Sequence, residues 1–98
     1  MIATFHNHST WSDGKAPLDT IHDYAATRGI DILGLSDHFC INPDGTVPAG
    51  ALGPANVSDY IVALQSIRKI SGMEVVTGIE FDWFEQSRAV LTPYAEGL

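Results

Sequence analysis

The stretch Ile32-Leu33-Gly34-Leu35-Ser36 constrains this chain most. It is a short apolar run without the alternation of a strand that has one wet face, so it predicts a strand covered on both faces in a parallel sheet. Helical periodicity lies on either side of it. Before it, Pro17 is well placed at a first helical position, and Leu18, Ile21 and Ala25 recur at i, i+3 and i+7 up to Gly29. After it, Asn56 looks like an N-cap with Asp59 in the first turn, and Val57, Tyr60, Ile61, Leu64 and Ile67 make an apolar stripe ending near Gly72. Two further runs, residues 2–5 and 74–81, complete a reading of the chain as three strand-then-helix units. The fold class is α/β, built from parallel βα units.

The strand ends carry the chemistry. Alternation along the first strand sends His6 and His8 out on one face, where both imidazoles can meet one metal ion. The second strand runs directly into Asp37 and His38, and Glu80 stands close to the end of the third. Ligands of α/β folds gather at that edge of the sheet. Imidazole and carboxylate donors with no thiolate suit zinc, manganese or iron rather than a closed structural zinc site. Between these positions, Asp13-Gly14 is a turn signal and His22, off its helix's apolar stripe, reads as a solvated residue. Residues 39–55 show no periodicity and are broken by Pro43, Gly45, Pro48, Gly50, Gly53 and Pro54, a length of loop that in compact domains is usually functional or disordered.

Charge and cysteine usage narrow the partners. Five basic residues against twelve acidic ones leave a formal charge of −7 with no lysine or arginine run, which argues against a nucleic-acid partner. Cys40 is the only cysteine, so no internal disulfide can form and a reducing, cytoplasmic compartment is expected. No leader pattern opens the sequence, and no apolar run approaches the roughly 20 residues that span a bilayer, so no membrane role is expected. The size, 98 residues with 45% hydrophobic content, suits one small domain.

Three motifs resemble a known family. His6-Asn7-His8-Ser9-Thr10 with Ser12-Asp13-Gly14, then Leu35-Ser36-Asp37-His38, then Gly78-Ile79-Glu80 are similar to the first three motifs of the PHP family, named for polymerase and histidinol phosphatase. Within it, Ser58-Asp59-Tyr60, Glu80-Phe81-Asp82 and the ending Leu91-Thr92-Pro93-Tyr94 look most like histidinol-phosphatases. The resemblance implies a distorted seven-stranded β/α barrel with up to three metal ions at its C-terminal mouth, of which residues 1–98 supply the first part of a single domain. It implies that His6 and His8 bind one metal, that Glu80 bridges it to a second, and that Asp13 and His38 belong to a third. Asp37, just before His38, fits a carboxylate that orients an imidazole. The family's remaining ligands come from later strands, so these residues alone are expected to be inactive.

Function follows from the resemblance and from charge. A phosphate monoester is a dianion that repels hydroxide, and clustered divalent ions answer both problems. Arg28, Arg68 and Lys69 sit in the last helical turns, where the macrodipole favours cations, leaving Lys15 and Arg88 as candidates to reach a substrate phosphate from the mouth loops. The expected activity is hydrolysis of L-histidinol phosphate to L-histidinol and phosphate in histidine biosynthesis. The alternatives are a PHP phosphoesterase acting on nucleotides, or a non-catalytic PHP module of a larger protein such as a DNA polymerase.

Overall fold

A computed structural model describes residues 1–82 together with Arg88, Thr92 and Pro93. The elements follow as β1 (Ala3–Thr4), α1 (Leu18–Thr27), β2 (Ile32–Cys40), α2 (Val57–Ile70) and β3 (Glu74–Asp82). The three strands form one parallel sheet in the order β1-β2-β3, the arrangement expected of βα units. Among the described residues it is an open sheet. Leu91 and Tyr94, two of the four residues in the ending compared with histidinol-phosphatases, lie outside them.

Alternation along β2 sorts its side chains. Leu33, Leu35, Asp37 and Phe39 are all buried, and the apolar three join Tyr60, Leu64 and Ile67 of α2 and Leu18 and Ala25 of α1 in a single core. Both predicted helical stripes supply that core, with Ile21 and Ile61 partly buried at its margin. The opposite face is covered more thinly than an all-buried strand would require. At Gly34 the cover is main chain: a Cβ there would lie 2.6 Å from Phe5 Cα, so the strand passes under the backbone of Phe5 only because this residue is glycine. On β3, Val75 is buried and Ile79 partly so, while Val76 is 44% exposed.

Several boundaries differ from the sequence reading. β1 stops at Thr4, because the chain then leaves the sheet edge to cross Gly34. β2 continues to Cys40 instead of ending at Ser36, because the Pro- and Gly-rich loop folds back and replaces β1 as its neighbour. Leu52, fully buried, donates its N–H to His38 O at 2.8 Å, and its carbonyl accepts Cys40 N–H at 3.1 Å. Pro17 is the N-cap of α1, one position before the first helical residue. Asn56 does cap α2, but its Oδ1 accepts Gly53 N–H at 2.8 Å instead of a first-turn amide. No described helix is long and apolar enough to cross a membrane.

His22 is the clearest correction. Its side chain is 14% exposed, not solvated, and its Nε2 pairs with Ser71 Oγ at 2.8 Å, tying α1 to the end of α2 across 49 positions. Its Nδ1 meets Asp23 Oδ1 at 3.0 Å. His22→Ala should therefore destabilise the protein by about 1 kcal/mol, the net worth of one such hydrogen bond. Urea unfolding measures it, and an unchanged midpoint would return His22 to the solvated surface.

Candidate metal centre

The crossing after β1 is fixed by Asn7. Its carbonyl accepts Ser36 N–H at 3.1 Å, and its Nδ2 donates to Gly34 O at 2.8 Å and Thr4 Oγ1 at 3.3 Å. With Asn7 held on β2, His6 and His8 lie with their ring centroids 4.6 Å apart. The convergence expected from strand alternation is reached, but by irregular chain beyond the end of β1.

A tight turn follows. Ser12 and Gly14 both donate their N–H groups to Ser9 O, at 3.1 and 2.8 Å, which brings Asp13 back onto His8. Asp13 Oδ1 is 2.8 Å from His8 Nδ1, and Oδ2 is 3.2 Å from His38 Nε2. His38 sits on β2 directly opposite Glu80 of β3 in the sheet register. Its ring centroid is 4.3 Å from that of His8.

Glu80 is the common neighbour of three imidazoles. Its Oε1 lies 3.6 Å from His6 Nε2, and its Oε2 lies 3.8 Å from His8 Nε2 and 2.6 Å from His38 Nδ1. His8 Nε2 is buried and makes no hydrogen bond among the described residues, and His38 Nδ1, equally buried, touches Glu80 Oε2 at ion-pair distance without the geometry of a hydrogen bond. If the His8 ring gives its Nδ1–H to Asp13, its Nε2 lone pair would be turned toward Glu80. Two buried ring nitrogens facing one carboxylate without hydrogen bonds are an expensive arrangement for protein alone. They fit a site for a cation.

The donor atoms form three groups, each with its atoms within 4.8 Å of one another: His6, His8 and Glu80; His8, Asp13 and His38; and His38, Glu80 and Asp82. All are imidazoles and carboxylates, the donor set of zinc, manganese and iron centres. Asp13 is held below the usual carboxylate range. Desolvation pushes it up, but the His8 hydrogen bond and the charges of His38 and His8 together pull it down by more. Cys40, buried and next to this edge, has its thiol pushed up by burial and by the charge of Asp82, so it offers no thiolate nucleophile.

The geometry thus brings together His6, His8, Asp13, His38 and Glu80. It turns Asp37 elsewhere: its carboxylate takes hydrogen bonds from Ser9 and Ser12, and not from an imidazole as its position before His38 suggested. Lys15 is exposed and makes no polar contact with the five, and Arg88 is exposed, its carbonyl accepting Thr92 Oγ1–H at 2.7 Å. Asp82 is a donor that the sequence reading does not place among the candidate ligands. Its Oδ1 is 3.8 Å from His38 Nδ1, and its signal was available, since it follows Glu80 by two residues and so shares its face of β3.

Two comparisons bear on this constellation. The family model described as PHP domain matches residues 4–97, a span that contains every residue of the three groups. No curated protein matches the chain.

Proposed function

The chain belongs to the PHP family, which is generally one of metal-dependent phosphoesterases, and from that premise we propose that it serves a phosphatase hydrolysing L-histidinol phosphate to L-histidinol and phosphate. The observation that carries the metal-dependent part is the facing of His8 Nε2 and His38 Nδ1, buried and without hydrogen bonds, onto Glu80. The narrower substrate rests on the resemblance of Ser58-Asp59-Tyr60 and Glu80-Phe81-Asp82 to histidinol-phosphatases. In this reading the protein works in histidine biosynthesis in the cytoplasm, and the sheet is the opening part of the family's barrel.

His6, His8, Asp13, His38 and Glu80 would hold divalent ions of the zinc, manganese or iron class. When bound, such ions supply the positive charge that a phosphate dianion requires and bring the acidity of water into the neutral range. The chain's own residues prepare for this. Asp13 meets the His8 ring at Nδ1, which leaves Nε2 aimed toward Glu80. Glu80 gives one oxygen toward His6 and the other toward His8 and His38, and it would help to hold ions in both donor groups that contain it. Lys15 and Arg88 are exposed cations that would draw the phosphate toward an otherwise acidic protein.

The test is phosphate release by the full-length protein supplied with manganese or zinc. Histidinol phosphate should be preferred over nucleoside monophosphates by at least about 10-fold in kcat/KM, or roughly 1.4 kcal/mol of transition-state discrimination, and a chelator should abolish turnover. Equal or better turnover of a nucleotide would move the assignment to a nucleotide phosphoesterase.

A further inference from the structure

Asp37 has contacts that a role as a metal ligand would not explain. Its side chain is fully buried, and among the described residues the hydrogen bonds it accepts come from one turn. Oδ1 accepts the Ser9 N–H at 2.6 Å and the Ser12 hydroxyl at 2.6 Å, while Oδ2 accepts the Ser9 hydroxyl at 2.8 Å. A buried carboxylate is costly unless it is well supplied with donors, and here three donors meet it. The turn is tied from the other side too, since Ser12 Oγ accepts His38 N–H at 3.2 Å and Ser9 Oγ accepts Trp11 N–H at 3.1 Å. The main chain of Asp37 is itself anchored: its N–H donates at 2.9 Å to the hydroxyl of Tyr60, a fully buried residue of α2. Burial pushes the Tyr60 phenol well above its ordinary range, so it remains a neutral partner.

Asp13, by contrast, has a side chain 49% exposed, and exposed charge contacts of this kind hold a side chain weakly. Its position against His8 and His38 is therefore inherited from the backbone of the turn, which Ser9 O closes through the amides of Ser12 and Gly14. We propose that Asp37 is a positioning residue whose buried carboxylate clamps Ser9 and Ser12, so that Asp13 meets His8 and His38 and that group gains its affinity for a divalent cation. The clamp itself stands on the hydrogen bonds, whereas its effect on cation affinity rests on the metal reading above.

Asp37→Asn keeps the side-chain volume and removes the charge. In metal-free protein, hydrogen exchange should show the Ser12 and Gly14 amides opening about tenfold faster, as expected for loss of a charge-assisted hydrogen bond. Cobalt titration followed by visible absorption then tests the second half in two backgrounds. In His6→Ala protein, which retains His8, Asp13 and His38, adding Asp37→Asn should weaken cobalt binding by about 10- to 100-fold, the usual effect of losing an outer partner. In Asp13→Ala protein, which retains His6, His8 and Glu80, the same change should alter it by less than roughly twofold, because outer-partner effects stay with the ligand they orient. An equal loss in both backgrounds, or no loss in either, overturns the positioning role. Unchanged amide exchange overturns the clamp, and that readout decides it even if neither background binds cobalt, an outcome that would instead sink the metal reading. Should Asp37→Asn fail to fold, Ser12→Ala leaves the carboxylate with its two Ser9 bonds and carries the same expectations in sign.

Discussion

Glu80→Gln should remove most divalent-cation affinity and nearly all phosphate release while leaving the fold intact. The amide keeps the shape of the carboxylate but not its charge, and it can place an N–H₂ group against the imidazole nitrogens that Glu80 now faces at 2.6, 3.6 and 3.8 Å. Two of the three donor groups contain Glu80, so the substitution weakens both at once. The loss in cobalt or manganese affinity should exceed the roughly 100-fold at the upper end of outer-partner effects, since Glu80 faces the site directly. Stability without metal should shift by no more than about 0.5 kcal/mol, because the side chain is a third exposed and supports no core contact. Calorimetric titration beside urea unfolding separates the two effects. Retained affinity in the folded variant would show that Glu80 is not part of the centre.

What could be read from the sequence and what could not divide by distance along the chain. His6 with His8, Asp37 with His38, and Glu80 stand out because each lies at the end of a short apolar run, and parallel βα order brings those ends to one edge of the sheet. The core stripes Leu18, Ala25 and Val57, Tyr60, Leu64, Ile67 follow from periodicity within single helices. The misses need partners that local pattern cannot supply. His22 meets Ser71 across 49 positions, and Asp37 meets Ser9 and Ser12 across 28 and 25. The length of β2 was hidden for the same reason: Leu52 reaches it through a loop with no periodicity at all. Placed beside His38, Asp37 suggested a carboxylate acting on an imidazole. But neighbours along a strand point to opposite faces, and Asp37 faces the core with Leu35 and Phe39.

Gly14→Ala should damage the centre as severely as losing Asp13, without touching any donor atom. A Cβ at Gly14 would lie 2.1 Å from His8 O, 2.5 Å from its carbonyl carbon and 2.8 Å from the carbonyl carbon of Ser9. All three are backbone atoms, so no side chain can rotate away and the turn itself must open. Opening it stretches the 2.8 Å bond from Gly14 N–H to Ser9 O and carries Asp13 away from His8 and His38. Overpacking of this kind costs about 1–3 kcal/mol, a sizeable share of the 5–15 kcal/mol that holds a typical domain together. In catalysis the effect should be larger, since a displacement of about 1 Å in a positioned group can lose roughly 100-fold. Gly72→Ala provides the contrast, because a Cβ there meets nothing within 4 Å; it should be neutral or stabilise by up to about 1 kcal/mol through the unfolded chain. Urea midpoints and cobalt titrations on the two variants give the comparison. If Gly14→Ala behaves like Gly72→Ala, the turn is loose, and Asp13 cannot owe its place between the two histidines to it.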